Sequence, residues 1–210
     1  MVLDSYREAA DRILTPMAVR IRHLSPNLLS WIALVTAGLA GLSFYLAHLI
    51  DGTIALAAAL VLLAVSSLLD ALDGKVARLR GLASPRGDFL DHVFDRYADI
   101  LILVGLFFSP YARPEVALFG LLGVLLTSYV GTQAQAVGIG RLYGGILGRA
   151  DRLVLLLVVI VLHLFLDPNA TLLLGVGILS FLMMEYALLA FGVLGNVTAV
   201  QRMLEAWRRL

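Results

Sequence analysis

The sequence lacks cysteine entirely and carries little charge. With no cysteine among 210 residues, disulfides, thiolate nucleophiles and cysteine-ligated zinc or iron–sulfur sites are excluded. Any metal ion must therefore be held by oxygen or imidazole ligands. Only 15% of the residues are charged and 60% are hydrophobic, whereas a soluble domain carries about 25% charged residues. With a mean hydropathy of +0.93, the chain is expected to fold in a lipid bilayer.

A strong excess of positive charge is also missing. The 16 lysine and arginine residues are nearly balanced by 15 aspartate and glutamate residues, which leaves a net charge of +1. Proteins that bind nucleic acid through its phosphates need a concentrated basic excess. We therefore expect no nucleic-acid partner.

Apolar stretches long enough to cross a bilayer, about 20 residues each, recur along the chain. They predict an all-α integral membrane protein whose six transmembrane helices form a single domain over residues 1–210. Residues 1–22 place apolar side chains at steps of three and four, which predicts an N-terminal amphipathic helix at the cytoplasmic membrane interface. The six spans are expected at residues 26–49, 53–80, 86–109, 114–140, 151–167 and 170–204.

The cationic residues indicate how these spans are oriented. Fourteen of the 16 lie before the first span, around the junctions of the second with the third and of the fourth with the fifth span, or toward the C-terminal end of the sixth. Loops rich in lysine and arginine stay on the cytoplasmic side of a membrane. The chain is therefore predicted to be a multi-pass protein of the cell membrane with both termini in the cytoplasm.

Six aspartates interrupt the second and third spans, Asp88 and Asp99 among them, and the other four are spaced as two pairs. Asp70 and Asp73 are three residues apart, and Asp91 and Asp95 are four apart, so each pair projects from one helix face. One aspartate at the centre of a spanning helix costs roughly 2.5–3.5 kcal/mol, so the four need compensation. Oxygen ligands suit Mg²⁺, Mn²⁺ or Ca²⁺, and two such ions could stabilise a displacement at phosphorus at the cytoplasmic face. Buried ion pairs are the alternative, formed with Arg78, Arg86 and Arg96.

Small residues flank these carboxylates. Gly74 and Ala77 leave the helix face beside them nearly bare, so a phosphate could approach the backbone there. Arg78 lies one turn beyond Gly74 and can present its planar guanidinium to that phosphate. Close helix packing is the alternative role of such glycines. His92 follows Asp91 but points about 100° away on an ideal helix, which favours packing.

Residues 70–95 resemble the signature of the CDP-alcohol phosphatidyltransferase family. Every fixed position is filled: Asp-x-x-Asp-Gly-x-x-Ala-Arg, then eight residues, then Gly-x-x-x-Asp-x-x-x-Asp. The family transfers a phosphatidyl group from a CDP-linked lipid to an alcohol and releases CMP. Its core of six spans behind a cytoplasmic interfacial helix is similar to the pattern found here.

The resemblance also implies roles for individual residues. Asp70, Asp73, Asp91 and Asp95 would ligate one or two Mg²⁺ or Mn²⁺ ions, and Asp95 would also take the proton from the acceptor hydroxyl. Residues in the signature and at the start of the first span would bind the CDP-linked lipid. These are Asn27, Ser30, Gly74, Ala77, Arg78, Ser84 and Gly87.

By the same resemblance, the acceptor alcohol is bound by spans four to six. An inositol phosphate is the leading acceptor, with glycerol 3-phosphate and serine as alternatives, and the donor could carry diacyl or isoprenoid ether chains. The acceptor-binding candidates are Ser128, Arg141, Arg149, Arg152 and Arg202. Contact with lipid headgroups is the alternative role of the arginines. One departure concerns Gly131, because relatives that use phosphorylated acceptors commonly carry lysine or arginine at that position.

Two other classes of membrane protein could carry such aspartates. Intramembrane prenyltransferases also hold a diphosphate with Mg²⁺, but they use more spans and two separate aspartate motifs. Cation transporters carry acidic sites near the bilayer midplane, whereas the aspartates here cluster at the cytoplasmic ends of their helices. The resemblance further suggests a homodimer, and Glu185 in the last span is expected to be buried with a partner.

Overall fold

The computed structural model describes residues 7–142, 144–166 and 182–210. Within these ranges it contains seven α-helices and no β-strand, which confirms the predicted all-α class. In chain order the helices are α1 (Arg7–Arg20), α2 (Pro26–Leu46), α3 (Gly52–Leu79), α4 (Pro85–Phe107), α5 (Pro114–Ala136), α6 (Arg149–Phe165) and α7 (Met183–Arg209).

Four of these helices, α2, α3, α5 and α7, are long and apolar enough to cross a membrane. Helix α4 lies in the predicted third span but carries six charged residues, and α6 lies in the predicted fifth span but has only 17 residues. Parts of three predicted segments lie outside the described residues. They are residues 1–6 of the predicted interfacial helix, residue 167 at the end of the fifth span and residues 170–181 at the beginning of the sixth.

Helix ends differ from the predicted span boundaries by a few residues. Helix α5 ends at Ala136 rather than at 140, because Gly138 and Gly140 adopt φ angles of 85° and 87°. An α-helix needs φ near about −63°, so these two glycines terminate it despite the continuing apolar composition. Helix α7 continues to Arg209 rather than 204, with cationic residues in the last turn where they favour the helix dipole.

The starts of the helices follow local rules. Helices α2, α4 and α5 each begin at a proline, which has no N–H to leave unbonded in the first turn. Asp51 caps α3, since its Oδ1 accepts the backbone N–H groups of Thr53 and Ile54 at 2.9 and 3.1 Å. Ser84 caps α4, because its Oγ accepts the N–H of Gly87 at 3.2 Å. The sequence therefore determines locally where the site-bearing helices begin.

The first of two compact units, Leu3–Gly105, contains α1 to α3 and most of α4. Helix α1 packs on α3, and Lys75 Nζ of α3 lies 2.8 Å from Asp11 Oδ1 of α1. A small buried cluster accompanies this contact, formed by Ala18, Leu29, Leu72 and Val76. Because Lys75 directly follows Gly74, α1 docks at the segment of α3 that carries the predicted site.

Glycines allow α2 and α4 to approach closely. A Cβ atom at Gly41 would overlap the carbonyl oxygen of Leu101, and one at Gly105 would overlap that of Gly41. Trp31 and Phe94 pack edge to face nearby, with ring centroids 4.6 Å apart. Helix α4 and its aspartates are thereby held against α2.

The second compact unit, Leu106–Leu210, contains α5, α6 and α7. Helices α5 and α7 meet at glycines, since a Cβ atom at Gly195 would lie only 2.6 Å from the carbonyl oxygen of Gly123. Arg113, just before α5, pairs with the fully buried Glu185 of α7. The expectation that Glu185 is buried with a partner is confirmed.

Candidate active site

Helices α3 and α4 bring three of the predicted metal ligands together. Asp70 and Asp73 come from α3 and Asp91 from α4, and one carboxylate oxygen of each lies within 4.8 Å of the others. Asp73 is buried, with 6% of its surface exposed. Three carboxylates this close repel one another strongly unless a cation or proton lies among them.

A second group overlaps the first at Asp91. It consists of Asp91, His92 and Asp95, with one ligand atom of each again within 4.8 Å of the others. The four predicted carboxylates therefore form two groups that share Asp91.

His92 lies closer to the carboxylates than the helical wheel suggested. Its Nε2 is 3.3 Å from Asp88 Oδ1 and its Nδ1 is 3.7 Å from Asp91 Oδ2. A helical wheel gives the direction of the Cα–Cβ bond only, whereas the imidazole turns back along the helix. Spacing alone missed His92 as a member of the second group and Asp88 as its neighbour.

The donor set fits a hard divalent cation. Oxygen ligands around Mg²⁺ lie at about 2.0–2.1 Å from the ion, so two of them are at most about 4.2 Å apart. The ligand atoms of each group lie within 4.8 Å of one another, so a small side-chain rotation is enough to bring them to that spacing. Carboxylate oxygens with one neighbouring imidazole suit Mg²⁺ or Mn²⁺, and this chain has no thiolate to favour a softer metal.

Ser30 of α2 contacts the metal-ligand candidates directly. Its Oγ donates a hydrogen bond to Asp73 Oδ2 at 2.5 Å, and the carbonyl oxygen of Pro26 is a second, longer acceptor at 3.2 Å. The bond joins residues 43 positions apart in the chain and holds one oxygen of the Asp73 carboxylate. Sequence reasoning assigned Ser30 to the lipid donor and had no signal for this contact.

A cavity of about 400 Å³ opens beside the carboxylates. Two of the metal-ligand candidates, Asp73 and Asp91, belong to its wall. All seven residues predicted to bind the CDP-linked lipid also line it, namely Asn27, Ser30, Gly74, Ala77, Arg78, Ser84 and Gly87. The guanidinium of Arg78 lies over Gly74, where a Cβ atom would come 3.4 Å from its Nη1. The cavity therefore combines carboxylates, a cation and bare backbone in one place.

The alternative of buried Asp–Arg pairs applies to one part of α4. Arg96 Nη2 lies 3.2 Å from Asp99 Oδ2 and 3.8 Å from Asp95 Oδ2. Asp95 and Asp99 are both buried, at 9% and 6% exposure. Arg96 thus partly neutralises the carboxylates of Asp95 and Asp99. The cavity is lined instead by Asp73 and Asp91.

The acceptor-binding candidates all lie in the second unit. Arg152 and Arg202 are buried, and Ser128, Arg141 and Arg149 are half-buried. Arg202 Nη1 donates to the carbonyl oxygen of Thr127 and its Nε to that of Gly144, both at 2.7 Å. Arg202 therefore links the helix that carries Ser128 to the loop between Arg141 and Arg149.

The comparison with protein families decides the membership of this chain. Residues 23–194 match the model of the family described as CDP-alcohol phosphatidyltransferase, which covers most of the chain. The chain belongs to the CDP-alcohol phosphatidyltransferase family. It is therefore a phospholipid-synthesising transferase that moves the phosphatidyl group of a CDP-linked lipid to an alcohol. The prenyltransferase and transporter alternatives are set aside.

Relatives of this CDP-alcohol phosphatidyltransferase cover all or most of its length. The archaetidylinositol phosphate synthase of Methanothermobacter thermautotrophicus is 29% identical over 100% of this chain and 96% of its own length. The enzyme of the same name from Pyrococcus horikoshii is 33% identical over 89% of this chain and 86% of its own.

Solved structures share the fold. The phosphatidylinositol phosphate synthase of Mycobacterium tuberculosis, solved with CDP-DAG bound, matches with a TM-score of 0.71 at 24% identity, covering 93% of this chain and 94% of that one. The same enzyme in complex with manganese and citrate also matches with a TM-score of 0.71. The family depends on divalent metal ions, in agreement with the carboxylate groups of α3 and α4.

Proposed function

We propose that this CDP-alcohol phosphatidyltransferase uses an inositol phosphate as its acceptor and a CDP-linked diacyl or archaeal ether lipid as its donor. The proposal is supported by the names of relatives that match 100% and 89% of the chain. Glycerol 3-phosphate and serine are the alternative acceptors. The donor assignment depends on one observation, namely that Asp73, Asp91, Arg78 and Gly74 all line the same cavity.

Asp70, Asp73, Asp91 and Asp95 are assigned as ligands of two Mg²⁺ or Mn²⁺ ions. Two clusters of candidate ligand side chains share Asp91, and this arrangement supports two adjacent ions. When bound, such ions neutralise the diphosphate and stabilise the attacking and leaving oxygens of a displacement at phosphorus. The hydroxyl of Ser30 keeps the Asp73 carboxylate oriented toward them.

The diphosphate of the donor is assigned to the cavity of the first unit. Arg78 offers a planar set of N–H donors to the phosphates, and Gly74 and Ala77 leave room for close approach. The backbone N–H groups at the start of α4, near Ser84 and Gly87, favour an anion. Asn27 and Ser30 line the opposite part of the wall.

Asp95 is assigned as the general base. Its carboxylate takes the proton from the acceptor hydroxyl as that oxygen attacks the phosphorus attached to the lipid. A new P–O bond forms to the acceptor, the P–O bond to CMP breaks, and CMP leaves with the electron pair. Burial of Asp95 beside Arg96 keeps this carboxylate away from bulk water.

Cationic residues of the second unit are assigned to the acceptor. A phosphorylated alcohol needs cations that stay charged at every physiological pH, and arginine meets this need. The residues proposed to bind it are Ser128, Arg141, Arg149, Arg152 and Arg202. Glycerol 3-phosphate would satisfy the same cations, so the acceptors must be compared directly.

We also propose the topology that the sequence predicts. Helices α4 and α6 would complete six spans, with α1 as a cytoplasmic interfacial helix and both termini and the active site on the cytoplasmic side. The exposed apolar residues Ile13 and Met17 of α1 support contact with lipid. The chain would act as a single domain within a homodimer.

The experiment is CMP release by purified protein in detergent. CDP-diacylglycerol and its archaeal ether counterpart are each combined with inositol phosphate, glycerol 3-phosphate, serine or free inositol, with Mg²⁺, Mn²⁺ or a chelator. We expect metal-dependent CMP release that is fastest with inositol phosphate. Faster release with glycerol 3-phosphate would refute the acceptor, and release that survives chelation would refute the metal assignment.

A matched pair of variants tests the base. Asp95→Asn keeps the size of the side chain and removes its basicity, so kcat should fall about 10²- to 10⁴-fold. Asp51→Asn makes the same change at a helix cap, where asparagine also serves, and should keep full activity. Full activity in Asp95→Asn would refute the general-base role.

A further inference from the structure

The described residues of the loop between α5 and α6, 137–142 and 144–148, contain one acceptor candidate and precede a second, but they form no helix or strand. The loop contains Gly138, Gly140 and Gly145 at φ angles of 85°, 87° and 136°, a region of backbone conformation that favours glycine. Arg141 lies within this loop and Arg149 begins the helix after it. A loop of this kind positions side chains only if other elements hold its backbone.

Two residues of α7 hold the loop from one helix face. Thr198 and Arg202 are four residues apart and therefore neighbours on the helix surface. The Arg202 Nε donates to the carbonyl oxygen of Gly144 at 2.7 Å, and Thr198 Oγ1 accepts the N–H of Ile146 at 3.2 Å. The two bonds lie on either side of Gly145, and a Cβ atom there would overlap the Thr198 methyl group. We call this contact the Thr198–Arg202 clasp.

The clasp extends to α5 through the same guanidinium. Arg202 Nη1 donates to the carbonyl oxygen of Thr127 at 2.7 Å. A Cβ atom at Gly131 would lie 2.9 Å from that Nη1 and 2.9 Å from the carbonyl oxygen of Leu142. The absence of a side chain at position 131 thus makes room for the α7 arginine and the loop.

We propose that the Thr198–Arg202 clasp is a positioning device that sets Arg141 and Arg149 for a phosphorylated acceptor. Two of the three Arg202 nitrogens are bonded to backbone carbonyls, so this arginine also acts on the acceptor through the loop, in addition to the direct contact proposed above. Thr198, buried and uncharged, becomes a determinant of acceptor affinity. The inference rests on the proposed acceptor site, and its test separates the two.

The kinetic test uses changes that leave the charge of the site intact. Thr198→Val removes the oxygen that accepts the Ile146 N–H, and Gly145→Ala adds the methyl group for which there is no space. Loss of one hydrogen bond should raise the KM for the acceptor about 5-fold, while the KM for the CDP-linked lipid stays unchanged. Thr198→Ser should restore the wild-type KM, and the control Thr36→Val, whose hydroxyl bonds only within α2, should change neither value.

Arg202→Lys separates positioning from direct binding. Lysine keeps the charge but cannot bridge two carbonyls, so positioning predicts that the KM for the acceptor rises as it does in Thr198→Val. An unchanged KM in Thr198→Val and Gly145→Ala, together with an increase in Arg202→Lys, would overturn the clasp and leave Arg202 with its direct role alone.

A second measurement is independent of turnover. Hydrogen exchange of the Ile146 amide should be slow in the wild type and at least several-fold faster in Thr198→Val. Equal exchange in the two proteins would refute the clasp even if no acceptor is turned over. A wild type that releases no CMP with any phosphorylated acceptor would instead refute the proposed acceptor and leave this exchange result standing.

Discussion

Glutamine in place of Glu185 tests how the second unit is held together. Glu185 is completely buried, and its carboxylate accepts four hydrogen bonds. Three come from Arg113, through its backbone N and Nε at 2.8 Å each and its Nη2 at 2.9 Å, and one comes from the N–H of Leu182 at 2.9 Å. The hydrogen bond to Glu185 raises the pKa of Arg113 above its ordinary value. The Arg113 guanidinium therefore stays protonated at every pH at which the protein can be studied.

The size of the effect follows from this bonding. Glu185→Gln keeps the shape of the side chain but turns an NH₂ group toward N–H donors and leaves the Arg113 cation without its counter-charge. Removing one partner of a fully buried ion pair costs about 3–5 kcal/mol. The Arg113 side chain is 46% exposed and stays partly hydrated, so the cost here is reduced to about 1.5–3 kcal/mol, as for lost hydrogen bonds to a charged group. In a chain of this length each kcal/mol lowers Tm by about 2–4 °C, so we expect a decrease of roughly 3–12 °C.

The assay is thermal unfolding of purified protein in detergent, with a matched control on the same helix. Glu205 pairs with Arg209, and their side chains are 41% and 53% exposed. An exposed pair of this kind contributes about 0.3–0.5 kcal/mol, so Glu205→Gln should shift Tm by no more than about 2 °C. A decrease in Glu185→Gln no larger than that in Glu205→Gln would refute the reasoning.

Three further changes concern the first unit. Ser30→Ala should raise the Kd for Mn²⁺, measured by electron paramagnetic resonance, about 10-fold or more, because Asp73 loses the hydrogen bond from Ser30 that orients it. Ser30→Thr should restore the wild-type Kd. An unchanged Kd in Ser30→Ala would contradict the contact. Arg78→Lys should raise the KM for the CDP-linked lipid several-fold, whereas Lys75→Arg should not. Equal KM values in the two variants would argue against phosphate binding by Arg78. Gly41→Ala should lower Tm, because overpacking costs about 1–3 kcal/mol, and Gly38→Ala, with its nearest contact at 3.5 Å, should not.

Local rules accounted for much of the fold. The helical class, the caps at Asp51 and Ser84 and the positions of the seven helices follow from composition, periodicity and turn residues that act within a few positions of one another. The helix ends were less accurate, as at Ala136, because apolar composition continues past glycines whose backbone conformation ends the helix.

For the candidate active site, spacing identified most of the residues that meet. A pair of aspartates three or four positions apart must share a helix face, and the cost of charge in a membrane span makes such pairs informative. Spacing could not reveal that His92 turns back toward Asp91, because that depends on a side-chain rotation. Nor could it separate Asp99, which pairs with Arg96, from the carboxylates beside the cavity.

The sequence by itself indicated a membrane protein, because its composition is apolar, and a divalent-metal phosphotransfer chemistry, because residues 70–95 match a family signature. Only the tertiary structure decided how those charges are divided. The contact of Ser30 with Asp73 and the bonds of Arg202 to Thr127 and Gly144 join residues far apart in the chain. Such contacts depend on how helices pack, and no periodicity within one helix records them.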